Sequence, residues 1–190
     1  MNILYIDIAS RDGLIALCTE DSVIASKDLN NRVSDAELIE IVEKIIPDYH
    51  ELTHIACVAG PGGFTSLRVA VTFANVLADQ LGVPLVGIHL SDVYRARMSG
   101  DVYWLHSTQK DHLFIRGGEY KDPTLISLDE LATKVITSDL KWAGELIDAH
   151  REKVGTEPVA LSPIADVLPA FLKDLEYKKE QITPWYGRGW

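Results

Sequence analysis

The chain has 190 residues and a formal net charge of −10, with 47% apolar and 24% charged residues. This is ordinary globular composition, with room for one large domain or two small ones. It excludes a transmembrane helix, because no apolar run approaches ~18 residues, and it argues against direct electrostatic binding of nucleic acid, which needs a basic stripe.

The opening Met1-Asn2-Ile3-Leu4-Tyr5-Ile6-Asp7 lacks a basic stretch and carries an acid at position 7, so it is expected to be a strand rather than a signal peptide. Residues 2–8, 13–19 and 23–29 read as three strands joined by short polar turns, a meander. Ser34-Asp35-Ala36-Glu37 is a capping box that opens a helix to about Ile46, stopped by Pro47. A short strand at 54–59, the sharp turn Gly60-Pro61-Gly62-Gly63, a long helix over 65–81 closed by Gly82, and a strand at 84–88 complete the first half. Cys18 and Cys57 fall in apolar strand-like runs, as buried free thiols do in a reducing cytosol. A cytoplasmic protein is therefore expected.

The second half reads less clearly. A short helix over 91–98 is followed by a hairpin of strands at 101–107 and 112–117. A capping box at Ser127-Leu128-Asp129-Glu130 follows, then a strand at 157–161 and a helix from Ser162-Pro163 to about Leu175. The tail from Thr183 to Arg188 reads as irregular. The order β-β-β-α-β-α-β, a hairpin followed by α/β crossovers, is the half-domain pattern of the actin-like ATPase (ribonuclease H-like) fold. An α/β chain of two half-domains is expected, 1–90 and 91–190, the second reduced.

The most informative stretch is Gly60-Pro61-Gly62-Gly63-Phe64-Thr65-Ser66-Leu67-Arg68. A glycine turn at a helix N-terminus can hold an anion on free N–H groups, or can simply let the helix pack closely. It lacks the lysine of a P-loop and the spacing of a dinucleotide site. The stretch resembles the G-P-G-S-F-T-G-L-R signature of the TsaB (YeaZ) family, departing at Gly63 and Ser66. Leu4-Tyr5-Ile6-Asp7, Pro84-Leu85-Val86-Gly87-Ile88, Asp101-Val102-Tyr103-Trp104 and Pro184-Trp185-Tyr186-Gly187-Arg188 extend the likeness along the chain.

The resemblance implies a non-catalytic subunit of the complex that forms N6-threonylcarbamoyladenosine at position 37 of tRNA. Its partners would be a TsaD-like catalytic paralogue and a TsaE-like ATPase, with self-association also open and tRNA met only through the complex. It implies no cofactor held by this chain alone, with ATP or ADP at the junction between subunits. An actin-like ATPase needs a D-x-G-[TS] loop after its first strand. Here that loop is Asp7-Ile8-Ala9-Ser10, a degenerate version in which Ala9 obstructs the close approach of a phosphate. The only glycine-rich candidate for a second phosphate loop is Arg116-Gly117-Gly118. An ATPase or sugar-kinase-like enzyme is the rival reading.

Helical periodicity points to a docking face. Along 67–81, Arg68, Thr72, Asn75 and Asp79 fall within roughly 60° of arc, and the remaining surface is largely apolar. In the helix from Ser34, Leu38, Ile39, Ile41, Val42, Ile45 and Ile46 span roughly 160°. This is more apolar surface than one small core covers, and it predicts a partner interface at Leu38, Ile39, Val42, Ile46, Val69, Phe73 and Val76. One motif points elsewhere: His50-Glu51-Leu52-Thr53-His54 spells the H-E-x-x-H zinc peptidase pattern. Pro47 just before it and a strand from His54 leave no helix long enough to align both histidines, so no metal site is expected. Trp104, Trp142, Trp185 and Trp190 are read as core or tail packing.

Overall fold

The computed structural model describes residues 1–29, 35–136 and 139–187. They form two compact units, one of residues 1–90 with 164–190, the other of 91–163.

In the first unit, β1 (Ile3–Asp7), β2 (Gly13–Cys18) and β3 (Val23–Leu29) form the expected antiparallel meander. α1 (Asp35–Ile45) leads to β4 (His54–Gly60), parallel to β1. α2 (Phe64–Leu81) leads to β5 (Leu85–His89), parallel to β4, so the sheet order is β3-β2-β1-β4-β5. Every residue of β1 and β2 is buried, which explains their unbroken apolar runs: central strands covered on both faces have no polar side. The capping box before α1 includes Ser34, which lies outside the described residues. α2 lays Leu67, Ala70, Val71, Ala74 and Ala78 on the sheet, and the small alanines let the helix sit close. It stops at Gly82, whose backbone is left-handed (φ 66°) and whose N–H reaches the Ala78 and Asp79 carbonyls, a conformation glycine adopts without a Cβ penalty.

The second unit opens with α3 (Leu90–Arg97) and repeats this plan. β6 (Tyr103–Gln109), β7 (His112–Gly117) and β8 (Tyr120–Ser127) form a meander. α4 (Leu128–Lys134) leads to β9 (Trp142–Glu145), parallel to β6, and α5 (Asp148–Val154) follows. The order β8-β7-β6-β9 is that of the first sheet without its fifth strand. Half of the expected capping box forms: Ser127 Oγ accepts from the Glu130 N–H at 3.1 Å, while the Glu130 carboxylate accepts from Lys134 at 2.8 Å. Leu105, Leu113, Ile115, Ile126, Leu131 and Trp142 form the core. Two related half-domains, the second reduced, make this the actin-like α/β fold.

Three differences from the sequence reading stand out. β8, β9 and α5 were not anticipated. The expected strand at 157–161 is irregular, and it touches the second sheet through one backbone bond, from the Val159 N–H to the Trp142 carbonyl at 2.8 Å; Pro158 has no N–H to extend such a ladder. Finally, α6 (Ile164–Lys173) and the residues after it belong to the first unit, not to a half-domain of 91–190.

Candidate functional site

Two loops meet at the C-terminal end of the parallel strands. β4 runs into Gly60-Pro61, joined by a cis peptide bond, and Gly63 is the N-cap of α2 without a side chain to cap it. The family's serine at this position would supply that cap, so the departure weakens the helix start by a few tenths of a kcal/mol. A Cβ at Gly62 would fall 2.8 Å from the Ala9 Cβ and 2.9 Å from its carbonyl oxygen. Gly62 is therefore required because the loop after β1 packs directly against it.

That loop is closed on itself. Asp7 Oδ1 accepts from the N–H groups of Ala9 and Ser10, each at 3.1 Å, and its Oδ2 accepts from the Ser10 hydroxyl. Burial pushes the Asp7 carboxyl above its ordinary value, against the opposing pull of the hydrogen bonds from Ser10 and Ala9. The N–H groups that would cradle a phosphate already serve a carboxylate of the same chain.

Residues 178–186 lie along the first unit through specific contacts. Leu85 and Lys178 exchange both backbone hydrogen bonds, at 2.9 and 3.0 Å. The Asn75 amide then grips Ile182, donating to its carbonyl and accepting from its N–H at 2.9 Å each. The Trp185 N–H reaches the Ala59 carbonyl at 2.7 Å, and a Cβ on Gly60 would collide with the Trp185 carbonyl oxygen. Trp185 meets His89 edge-on at 4.3 Å, and Tyr186 lies 5.0 Å from Phe64. Sequence reasoning missed this strap; Asn75, the uncharged amide in the polar strip of α2, was its one signal.

The faces of α2 now follow one another around its axis. Beyond the sheet-facing alanines, Val69, Phe73 and Val76 turn toward α1; Arg68, Thr72 and Asp79 face solvent; and Asn75 faces the tail. Between α1 and α2 lies an open groove of about 490 Å³, lined by Leu38, Ile39, Val69, Phe73 and Val76 with Phe64, Thr65, Arg68 and Thr72 at its edge. Ile39 is 47% exposed and Phe64 and Val76 are 56% exposed. Val69 and Phe73 are half-buried against the core. Two residues assigned to the interface are corrected: Val42 and Ile46 are closed inside the core, 0% and 3% exposed, because much of the apolar arc of α1 covers the sheet. Leu38 is also buried and forms the groove floor.

The H-E-x-x-H pattern is split between elements. Tyr49–Glu51 is one 3-10 turn, its start capped by Asp48 through the His50 N–H, and His54 opens β4. His54 Nδ1 lies 2.9 Å from the Thr53 hydroxyl, and its ring meets Tyr177 edge-on. Burial, and then the charge of the N-terminal amine, lowers its pKa. The two histidines share no helical face. Among the described residues no helix is long and apolar enough to cross a membrane.

Fold and loops define a class: an actin-like α/β fold in which the N–H groups of the loop after β1 are taken by the chain's own Asp7. A family model described as TsaD, tRNA N6-adenosine threonylcarbamoyltransferase, matches residues 25–125, more than half of the chain. The tRNA threonylcarbamoyladenosine biosynthesis protein TsaB of Buchnera aphidicola subsp. Acyrthosiphon pisum (strain APS) is 24% identical over 167 residues, covering 76% of this chain and 74% of that protein. Two solved structures share the fold. An uncharacterised Pseudomonas aeruginosa protein with similarity to peptidase YeaZ superposes with a TM-score of 0.72 at 19% identity, covering 98% of this chain and 99% of the other. YeaZ from Pseudomonas aeruginosa gives 0.66 at 19% identity, covering 90% of each chain. The chain belongs to the TsaD family, with its likeness on the TsaB (YeaZ) side.

Proposed function

We propose that this chain is a cytoplasmic, non-catalytic subunit of the complex that forms N6-threonylcarbamoyladenosine at position 37 of tRNA, and that it docks on a TsaD-like catalytic paralogue through the α1–α2 groove. The observation that carries this reading is the groove itself: Ile39, Phe64 and Val76 are large apolar side chains left about half exposed on adjacent helices. A paralogue of the same fold would present an equivalent helix pair. Packing pair against pair makes a four-helix contact that hides both apolar faces. The self-closed loop at Asp7 supports a role without catalysis, since ATP chemistry in this fold needs those N–H groups. Any ATP or ADP is expected at the junction with the paralogue, tRNA is reached through the complex, and a TsaE-like ATPase is the further partner.

The test is co-expression with the TsaD-like paralogue of the same genome, followed by size exclusion. Val76→Asp is the decisive variant, because Val76 is exposed and the change leaves the core intact. A stable heterodimer lost in Val76→Asp is expected. Undiminished association of this variant would overturn the assignment of the groove.

A further inference from the structure

Among the described residues lining the groove, Arg68 is the only charged one. No acidic side chain among the described residues pairs with it. The chain holds 28 acids and 18 lysines and arginines, so a lone cation there runs against the composition. Arg68 sits near the N-terminal end of α2, where the helix dipole gives a cation no support. The positions three and four residues away are Thr65, Val71, Phe64 and Thr72, none of them acidic. Among the described residues the guanidinium has no acidic partner; its one contact is the Phe64 ring, 5.5 Å from centroid to Cζ. Phe64 is in turn backed by Tyr186 from the tail. A long cation that would otherwise sample many rotamers is laid along an aromatic surface at the rim of an apolar cleft.

We infer that Arg68 is a specificity residue of the docking groove, held by the Tyr186–Phe64 aromatic pair to meet a carboxylate on the docking helix of the TsaD-like partner. The inference rests on the docking role proposed above and adds the partner's chemistry: an amphipathic helix with apolar side chains for Ile39, Phe73 and Val76 and an Asp or Glu at the end facing Phe64. Arginine suits this place because its planar, weakly hydrated fork accepts partial burial against a carboxylate better than an ammonium does.

The experiment is calorimetric titration of the full chain with the TsaD-like paralogue at low and high salt, for wild type, Arg68→Gln, Arg68→Glu and Val76→Asp, with thermal melts to confirm folding. Arg68→Gln is expected to weaken binding and flatten its dependence on salt, because the pair it removes is screened by ions. Arg68→Glu sets two like charges together and is expected to weaken binding by roughly a hundredfold or more. If wild type binds and Val76→Asp does not, yet both Arg68 variants bind as wild type with unchanged salt dependence, the carboxylate partner is overturned while the docking groove stands. If wild type fails to bind, the docking role falls and this inference falls with it.

Discussion

Replacing Asn75 with alanine tests how far the tail is part of the folded unit. Asn75 makes two hydrogen bonds to the backbone of Ile182, both 2.9 Å and part-buried, across 107 residues of sequence. The substitution removes both and leaves the Ile182 N–H and carbonyl without their partner. At about 0.5–1.5 kcal/mol for each bond, the loss is ~1–3 kcal/mol. For a chain of this size each kcal/mol lowers Tm by about 2–4 °C, so a central loss of ~2 kcal/mol gives a drop of about 4–8 °C. The bonds at Leu85–Lys178 and Ala59–Trp185 flank this point, so the stretch between them should exchange its amide hydrogens faster. Thermal melting and hydrogen-exchange mass spectrometry over residues 178–186 are the assays. Asn75→Asp keeps the acceptor but turns an oxygen toward the Ile182 carbonyl, and should lose at least as much; Asp79→Ala, exposed on the same helix, should change neither reading. Unchanged Tm and unchanged exchange in Asn75→Ala would refute the strap.

Further outcomes follow from the loops and the thiols. Burial raises the Asp7 carboxyl above 3.8, so its protonation favours the folded state. Its contribution is full below the unfolded value of about 3.8 and is lost as pH rises through the higher folded value. The stability difference between wild type and Asp7→Asn, from urea midpoints, should therefore shift against wild type over that window; a pH-independent difference would contradict the assignment. Gly62→Ala drives a Cβ into Ala9 and should cost ~1–3 kcal/mol. Adding Ala9→Gly should restore only part of this in a double-mutant cycle, because the Ala9 carbonyl oxygen stays 2.9 Å away. Burial pushes the Cys18 thiol up to about 12 and Cys57 higher still. Neither should be alkylated in the native protein at pH 8, and both should react after unfolding, as mass spectrometry would show.

Much of the first unit was legible because its strands are buried on both faces and bounded by turn residues, as in Ile3–Asp7 and His54–Gly60. The second unit was less so. β8 carries Lys121, Asp122 and Pro123 along an exposed edge, β9 is four residues with a glycine, and α5 turns only His150 and Val154 fully inward. None of these leaves a clear period. The groove was half legible. Periodicity measures how wide an apolar arc is, not which neighbour covers it: of the residues expected at a partner interface, Val69, Phe73 and Val76 line the groove, while Val42 and Ile46 lie in the core. The clasp between Asn75 and Ile182 joins distant segments through one amide, and no local pattern encodes it.

The single bond from Val159 to Trp142 carries a consequence beyond topology. Dropping a fifth strand leaves β9 with a bare flank of amide and carbonyl groups, onto which a neighbouring molecule can zip. The irregular stretch at 157–161 meets that flank at Trp142 through the Val159 N–H, and Pro158 withholds the donor that a growing ladder would need. A segment with no regular structure thus stands where a neighbouring strand would begin to pair, and shortening it is expected to raise the tendency to aggregate, as light scattering would show.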